Sequence, residues 1–390
     1  MNDNHPKALL VLSVCCVLLT GCAVLSRPGR RAAAPPIPPP VEMPYRDAVG
    51  VIHIHTVYSD GAGTFEEIGR IANGEALDYL IVTDHNTLRP LREGKQGWYG
   101  GALILVGTEI STRSGHYVAL NVTEEIDRTK LGTQEIIDAV NRQGGLGFIA
   151  HPYFKKRRWT DWSVTGFTGI EAYNVAHDTL DENRLRLIFW TLVVPEEPFY
   201  LSLIDRPYDP LSKWDELIKE RGHIVGIGSS DAHEVRLCGL TFAPYEIMFH
   251  LARTHLLIPA LTTDSANATP QWLTPQSIYD ALRAGHAYLS IELVHEAKGF
   301  TFVAAHGTQL RGVMGDEVIL EPDLRLSTSV PEIADLTLMR DGQRVATYTG
   351  RRWDIPIDAP GTYRLEVMSQ GKPWIFSNPI YVKAASNNQP

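Results

Sequence analysis

Two patterns of apolar and polar positions divide this chain. Over its first two-thirds, short strand-like runs alternate with amphipathic stretches: Val51–Ile54, Tyr79–Val82, Leu103–Val106, Leu146–Ile149 and Ile224–Ile227 read as strands, and Thr64–Ala76, Thr133–Gln143 and Leu211–Arg221 as helices. Thr64 stands three residues before Glu67, a capping-box spacing, and Gly222 follows the third helix as its stop. Alternation of this kind predicts parallel strands with crossover helices, an α/β fold. After Gly239 the pattern loosens, leaving a helix from Thr274 to Gly285 and an apolar segment His286–Ser290. From about Gly299 the period shortens to two, over Phe300–Ala304, Leu324–Val330, Leu336–Met339, Arg344–Tyr348, Tyr363–Val367 and Pro379–Val382. Asp341-Gly342 is a hairpin signal within this part, which predicts a small antiparallel β-sandwich.

Polar residues of metal-ligand type follow the apolar runs of the first part. His53 and His55 are two apart on one strand, so alternation predicts that both face one side, and Asp60 follows in a Ser-Asp-Gly turn. A lone His-x-His is weak, but Thr83-Asp84-His85-Asn86, Gly107-Thr108-Glu109, Gly115-His116-Tyr117, Ala150-His151-Pro152 and Ser230-Asp231-Ala232-His233 come later. In barrels of parallel strands and helices the strand C-terminal ends build the active site. Packing alone does not explain so many nitrogen and oxygen donors at such positions.

On these motifs the segment from about Tyr45 to Gly239 resembles the polymerase-and-histidinol-phosphatase (PHP) family of metal-dependent hydrolases. The resemblance implies a distorted barrel of about seven strands and a ligand set of His53, His55, Asp60, His85, Glu109, His116, His151, Asp231 and His233. It implies two to three divalent ions, Zn, Mn or Fe. His53, His55, Glu109 and Asp231 would hold one, Glu109, His116 and His151 a second, and Asp60, His85 and His233 a third. His53, His55, Glu109, Asp231 and His233 are the residues it places at the catalytic centre, with water held between metals as the nucleophile. Asp84, Glu171 and Asn174 are candidates to hydrogen-bond the ligand histidines or line the pocket, and His177 is a candidate proton donor. Neither a cysteine nor a Gly-x-Ser-x-Gly elbow lies among the motifs, and Ser230 has no free histidine to activate it. A phosphate ester is the first substrate class. Carbamate, ester or amide hydrolysis is the alternative, because the long segment after His151 and the ending Pro373–Ile380 resemble the carbaryl-hydrolase-like branch. The reading outside enzymology is an inactive surface-binding lipoprotein, which the full ligand set argues against.

Composition narrows this picture. With 390 residues the chain has room for two domains, and 44% hydrophobic and 21% charged residues are ordinary for a globular protein. A net charge of -9 argues against general affinity for nucleic acid. The twelve-residue run Ala8–Leu19 is shorter than the ~20 residues that span a bilayer and ends in Leu-Thr-Gly-Cys, similar to a bacterial lipobox. We therefore expect a signal peptide over residues 1–21, lipid on Cys22 and anchoring at the periplasmic face of the outer membrane, since position 23 is Ala rather than Asp. Of the cysteines only Cys238 would then remain free. Residues 22–44, rich in Pro and Ala, read as a semi-rigid tether. The expected organisation continues with a barrel over 45–298 and a β-sandwich over 299–390. A specificity insertion is expected near 154–210, where Lys155, Lys156, Arg157 and Arg158 form either an anion-attracting rim or a solvated loop. His250, His255, His286, His295 and His306 match no ligand position and read as structural.

Overall fold

The computed structural model describes residues 41–175, 196–237, 240–260 and 272–385, all within one unit spanning Ile37–Pro390. The expected signal peptide, Cys22, most of the tether, His177, Cys238 and part of the expected insertion lie outside the described residues.

In chain order the elements are β1 (Tyr45–Ile54), α1 (Phe65–Gly74), β2 (Tyr79–Val82), α2 (Arg89–Arg92), β3 (Gly97–Tyr99), β4 (Ala102–Val106), β5 (Thr108–Thr112), β6 (Gly115–Leu120), α3 (Thr133–Arg142), β7 (Leu146–Ile149), β8 (Gly169–Asn174), α4 (Glu196–Leu203), α5 (Tyr208–Arg221) and β9 (Val225–Ser229). There follow β10 (Val235–Leu237), β11 (Leu240–Phe242), α6 (Tyr245–Leu251), β12 (Arg253–Pro259), α7 (Pro275–Ala284) and β13 (Ala287–Ser290). The C-terminal strands are β14 (Thr301–His306), β15 (Gln309–Val313), β16 (Glu317–Ile319), β17 (Leu324–Arg340), β18 (Gln343–Pro356), β19 (Gly361–Ser369), β20 (Lys372–Ser377) and β21 (Ile380–Lys383). The fold is mixed α/β and mostly sheet.

Local chemistry explains the helix limits. Thr64 accepts from the Glu67 N–H while Glu67 accepts from the Thr64 N–H, so the expected capping box closes the start of α1. Gly222, at φ 86°, ends α5 where a side chain would be strained.

The expected parallel order is only part of the sheet. β1, β2 and β4 are parallel, as are β7, β8 and β9, but β1 pairs antiparallel with β12, and β6 pairs antiparallel with both β5 and β7. The reason is connection length: Arg113-Ser114 alone joins β5 to β6, a hairpin loop, whereas a parallel crossover needs about a dozen residues. The chain passes from the large sheet to the small one at Gly107, between β4 and β5. Ile52, Ile81 and Leu105 of the large sheet and Val118, Phe148 and Ile227 of the small one share a single core, which Ile278 and Leu282 of α7 complete. Backbone hydrogen bonds join the sheets at both margins, Ser230 N–H to Ile52 C=O at one and Asn86 N–H to Glu109 C=O at the other.

The C-terminal strands continue the large sheet, because β20 pairs with β13. β17 covers what the pattern reads as two strands, with a register break between Ser329 and Ala334 in place of a turn. Asp341 and Gly342 do turn the chain, at φ 51° and 79°, the left-handed pair a tight hairpin requires. Buried Arg364 of β19 grips Asp215 of α5 through two bonds of 2.6 and 2.7 Å and also meets Glu366, which binds Arg206.

Candidate metal centre

His53 and His55 converge for a different reason from the one alternation supplies. Ile52 pairs with Ile81 and Ile54 with Val82, so His53 is an extra residue in β1 and sits at φ 68°. This bulge turns its ring inward, and the stretch after β9 holds it: Ser230 Oγ and the Ala232 N–H both donate to the His53 carbonyl, and the His55 N–H donates to the Ala232 carbonyl. His151, at φ 25°, and Asp231, at φ 49°, also occupy left-handed backbone. Each such position costs roughly 1–3 kcal/mol and persists only where its surroundings hold it. Glu109 follows the C-terminal end of β4 by three residues and stands at the beginning of β5, and His116 stands at the beginning of β6, so both are carried by a hairpin.

All nine expected ligands come together in one pocket, linked by contacts of 2.6–3.7 Å. Three overlapping groups bring donor atoms close enough for a shared ion: His53, His55, Glu109 and Asp231; His55, Asp60, His85 and His233; and His85, Glu109 and His116. The implied sets differ, because His55 also reaches the Asp60 group, and His85, 2.9 Å from Glu109, rather than His151 joins Glu109 and His116. His151 Nε2 stands 2.9 Å from the Glu109 carboxylate.

The donor set fits cations. His53 Nε2, His55 Nε2 and Glu109 Oε2 are buried side-chain atoms with no hydrogen-bond partner, yet they meet one another and Asp231 at 3.2–3.4 Å. Unpaired buried polar atoms are expensive, and a cation shared by their lone pairs removes the cost. The outward ring nitrogens set the tautomers. His53 Nδ1–H donates to Glu171 at 2.6 Å, His55 Nδ1–H to Ser59 Oγ at 3.4 Å and His233 Nδ1–H to the Asp231 carbonyl at 2.8 Å, so in the neutral rings each Nε2 carries the lone pair and faces the pocket.

The electrostatics agree. Burial works against a charged His53, but Glu171, Glu109 and Asp231 outweigh it and hold its pKa well above the usual range. His85 is opposed by burial in the same way, and Asp60 and Glu109 carry it up to about 10. Burial disfavours ionised Glu109, yet the surrounding histidines hold it well below the ordinary carboxylate range. A pocket that pulls protons onto imidazoles this strongly is one that favours positive charge.

Around this centre Glu171 meets His53 directly, and Asn174 reaches it only through Glu171. With its other oxygen Glu171 accepts from the His151 N–H at 2.6 Å and from Asn174 at 2.7 Å. Asp84 touches no histidine directly. It accepts from the Thr56 N–H and hydroxyl and from Ser59 Oγ at 2.6–2.8 Å, so it fastens the loop after β1 and reaches His55 only through Ser59. Tyr245, which no motif marks, donates to the His55 carbonyl at 2.7 Å and accepts from the Gly63 N–H. Lys155, Lys156, Arg157 and Arg158 are exposed on the loop after His151, with Arg158 over the Tyr153 ring and Phe154 edge-on to His151 at 5.7 Å. His53, His55 and Glu109 form the buried floor, while Asp60, His85 and His233 reach solvent.

No family model matches the chain. An uncharacterized protein of Methanocaldococcus jannaschii, MJ1587, is 33% identical over 163 residues, covering 38% of this chain and 94% of that protein. A two-domain protein of Bacteroides vulgatus, containing a predicted PHP-like metal-dependent phosphoesterase, superposes on 90% of this chain and 100% of its own at 15% identity and a TM-score of 0.42. An amidohydrolase of Chromobacterium violaceum does so on 47% and 87% at 15% identity and a TM-score of 0.32.

Proposed function

The chain belongs to the family of the M. jannaschii protein MJ1587, and we propose that it is a metal-dependent hydrolase acting on phosphate esters. The observation that carries this reading is the set of buried, unpartnered donor atoms of His53, His55 and Glu109 facing one another and Asp231. His53, His55, Glu109 and Asp231 would hold one divalent ion, Glu109 with His116 and His151 a second, and Asp60, His85 and His233 a third. Zn, Mn or Fe bound there would activate water and neutralise phosphoryl charge.

The chain's own residues supply orientation and access. Glu171 and Asn174 fix the ring of His53, Glu109 spans the groups, and Asp60, His85 and His233 face the solvent side from which a substrate arrives. The exposed run Lys155–Arg158 would attract an anion. Ser230 is buried and its hydroxyl donates to the His53 carbonyl at 3.0 Å, a scaffold role that supports water as the nucleophile. Carbamate, ester or amide hydrolysis is the second reading, favoured by the Phe154 ring beside His151. In fold terms the reading takes β1, β2, β4, β6, β7, β8 and β9 as a distorted seven-stranded barrel and the C-terminal strands as a small sandwich.

The test is an assay of purified protein lacking residues 1–22 against phosphate esters, carbamates and carboxyl esters, with metal measured on the same sample. Turnover of phosphate esters dependent on bound metal is expected; metal-free protein of full activity would overturn the reading. We also propose export and lipid anchoring through Cys22. Fractionation should release a Cys22→Ala protein from the membrane, and firm retention would refute the anchor.

A further inference from the structure

Among the described residues β9 pairs with a strand on one side only, where β8 runs parallel to it from Gly169–Val225 to Asn174–Ser229. On its other side Gly226 and Gly228 are buried, so their backbone groups need partners there. Two side chains supply them. Asn378, 1% exposed, accepts from the Gly226 N–H at 2.9 Å and donates to the Gly226 carbonyl at 2.8 Å and the Ala287 carbonyl at 3.0 Å. Thr254 Oγ1 accepts from the Gly228 N–H at 3.0 Å and donates to the Gly228 carbonyl at 2.7 Å. Each makes the donor-and-acceptor pair that a residue of a neighbouring strand would make, at the alternate positions such a strand would use. Both sites need glycine, since a Cβ at Gly226 would lie 2.5 Å from the Trp214 ring and one at Gly228 2.9 Å from Leu289 Cβ.

The register of β9 governs the pocket. Ser229 Oγ accepts from Asn174 at 2.9 Å, and Asn174 in turn holds Glu171. Ser230 and Ala232 bind the backbone of Ile52, His53 and His55, which keeps the bulge at His53, and Asp231 lies between them. A slip of β9 would disturb all of these at once.

We propose that Asn378 is a positioning residue for the metal centre. With Thr254 it stands in for a missing strand along β9 and so sets the place of Ser229 to His233, and through them of His53 and Asp231. The C-terminal strands are then part of the frame of the pocket. The metal readout below rests on the hydrolase reading; the exchange readout does not.

The experiment compares Asn378→Ala and Thr254→Val with the wild type in the full chain, by amide hydrogen exchange and Zn2+ titration. Asn378→Ala should speed exchange at Gly226 and onward at Ser230 and Ala232, and weaken Zn2+ binding by up to about tenfold, the low end of the cost of removing a direct partner of a metal ligand, because Asn378 acts on the ligands only through β9. Thr254→Val, which keeps the volume, should do the same from Gly228. Wild-type exchange at Ser230 and Ala232 with unchanged Zn2+ affinity in folded Asn378→Ala would overturn the proposal. If that variant does not fold, Thr254→Val decides by the same two criteria. A wild-type chain that binds none of Zn2+, Mn2+ and Fe2+ would remove the hydrolase reading and leave the exchange result to judge the positioning.

Discussion

Among the described residues, histidines are buried among carboxylates in two places, with opposite outcomes. Further down β1 from the pocket, His255 of β12 binds Asp47 through Nδ1 at 2.8 Å and Glu292 through Nε2 at 3.1 Å and stacks on the Tyr288 ring at 4.3 Å. The Tyr288 hydroxyl and the Ala297 N–H satisfy the remaining oxygens of Asp47 and Glu292, and Ser290 Oγ donates to the Glu292 oxygen that also meets His255. Both ring nitrogens are used, so nothing remains to bind an ion. In the pocket, by contrast, the outward nitrogens of His53 and His55 have partners while their Nε2 atoms do not. What separates a candidate metal site from a structural cluster is therefore the direction of the unused lone pairs, not the residue types. Removing the central carboxylate from each should separate them most sharply. Glu109→Ala is expected to abolish activity and lower the bound metal while the protein stays folded. Glu292→Ala should retain metal and lose stability, because it leaves His255 a buried cation short of one partner, a loss of about 3–5 kcal/mol when a buried pair is broken. Metal content and thermal unfolding of the two variants measure this, and full activity in Glu109→Ala would sink the assignment.

A smaller effect is expected one bond away from the ions. Glu171→Gln keeps the shape but weakens the acceptor for His53 Nδ1–H, and it should cost about 10–100-fold in metal affinity with little change in folding. The matching change at the closed cluster, Asp47→Asn, should leave metal affinity untouched. Equal losses of metal in both variants would mean that the two clusters are not distinct in kind.

The sequence made much of this legible, for physical reasons that also mark where legibility ends. Tyr79–Val82 and Leu146–Ile149 form the strands expected, because fully buried short strands need unbroken apolar runs. The pocket residues were recognisable because donor types cluster after such runs. The hairpin carrying Glu109 and His116 was not, since Ser114-Gly115 is a weak turn signal and the chain there lacks a clean alternation. The bulge at His53 was hidden too: alternation and a bulge give the same sequence, and only the Ile52–Ile81 and Ile54–Val82 pairing tells them apart. Asn378 and Thr254 carry no motif, because a side chain standing in for a strand is defined by a partner 152 residues away in one case and 26 in the other.

The cleanest effect on the closed cluster is in pH. Burial opposes charge on His255, but Asp47 and Glu292 outweigh it and raise its pKa to about 9. In the unfolded chain an imidazole titrates near ~6.5. Below that pH both states hold the proton and the stabilisation is fully present. Between ~6.5 and about 9 the folded state keeps a proton that the unfolded state has released, so stability falls as pH rises, by about 1.4 kcal/mol per unit for one proton. The facing groups do not reverse the sign in this window: Asp47 and Glu292 are already ionised with lowered pKa values, and burial pushes the Tyr288 hydroxyl well above its usual range. Urea midpoints of the wild type should therefore decline from pH 6.5 to 9 more steeply than those of His255→Gln, which has no proton to lose there. An identical slope in the two proteins would show that His255 is not held charged by its carboxylates, and the contrast with the open pocket would then rest on geometry alone.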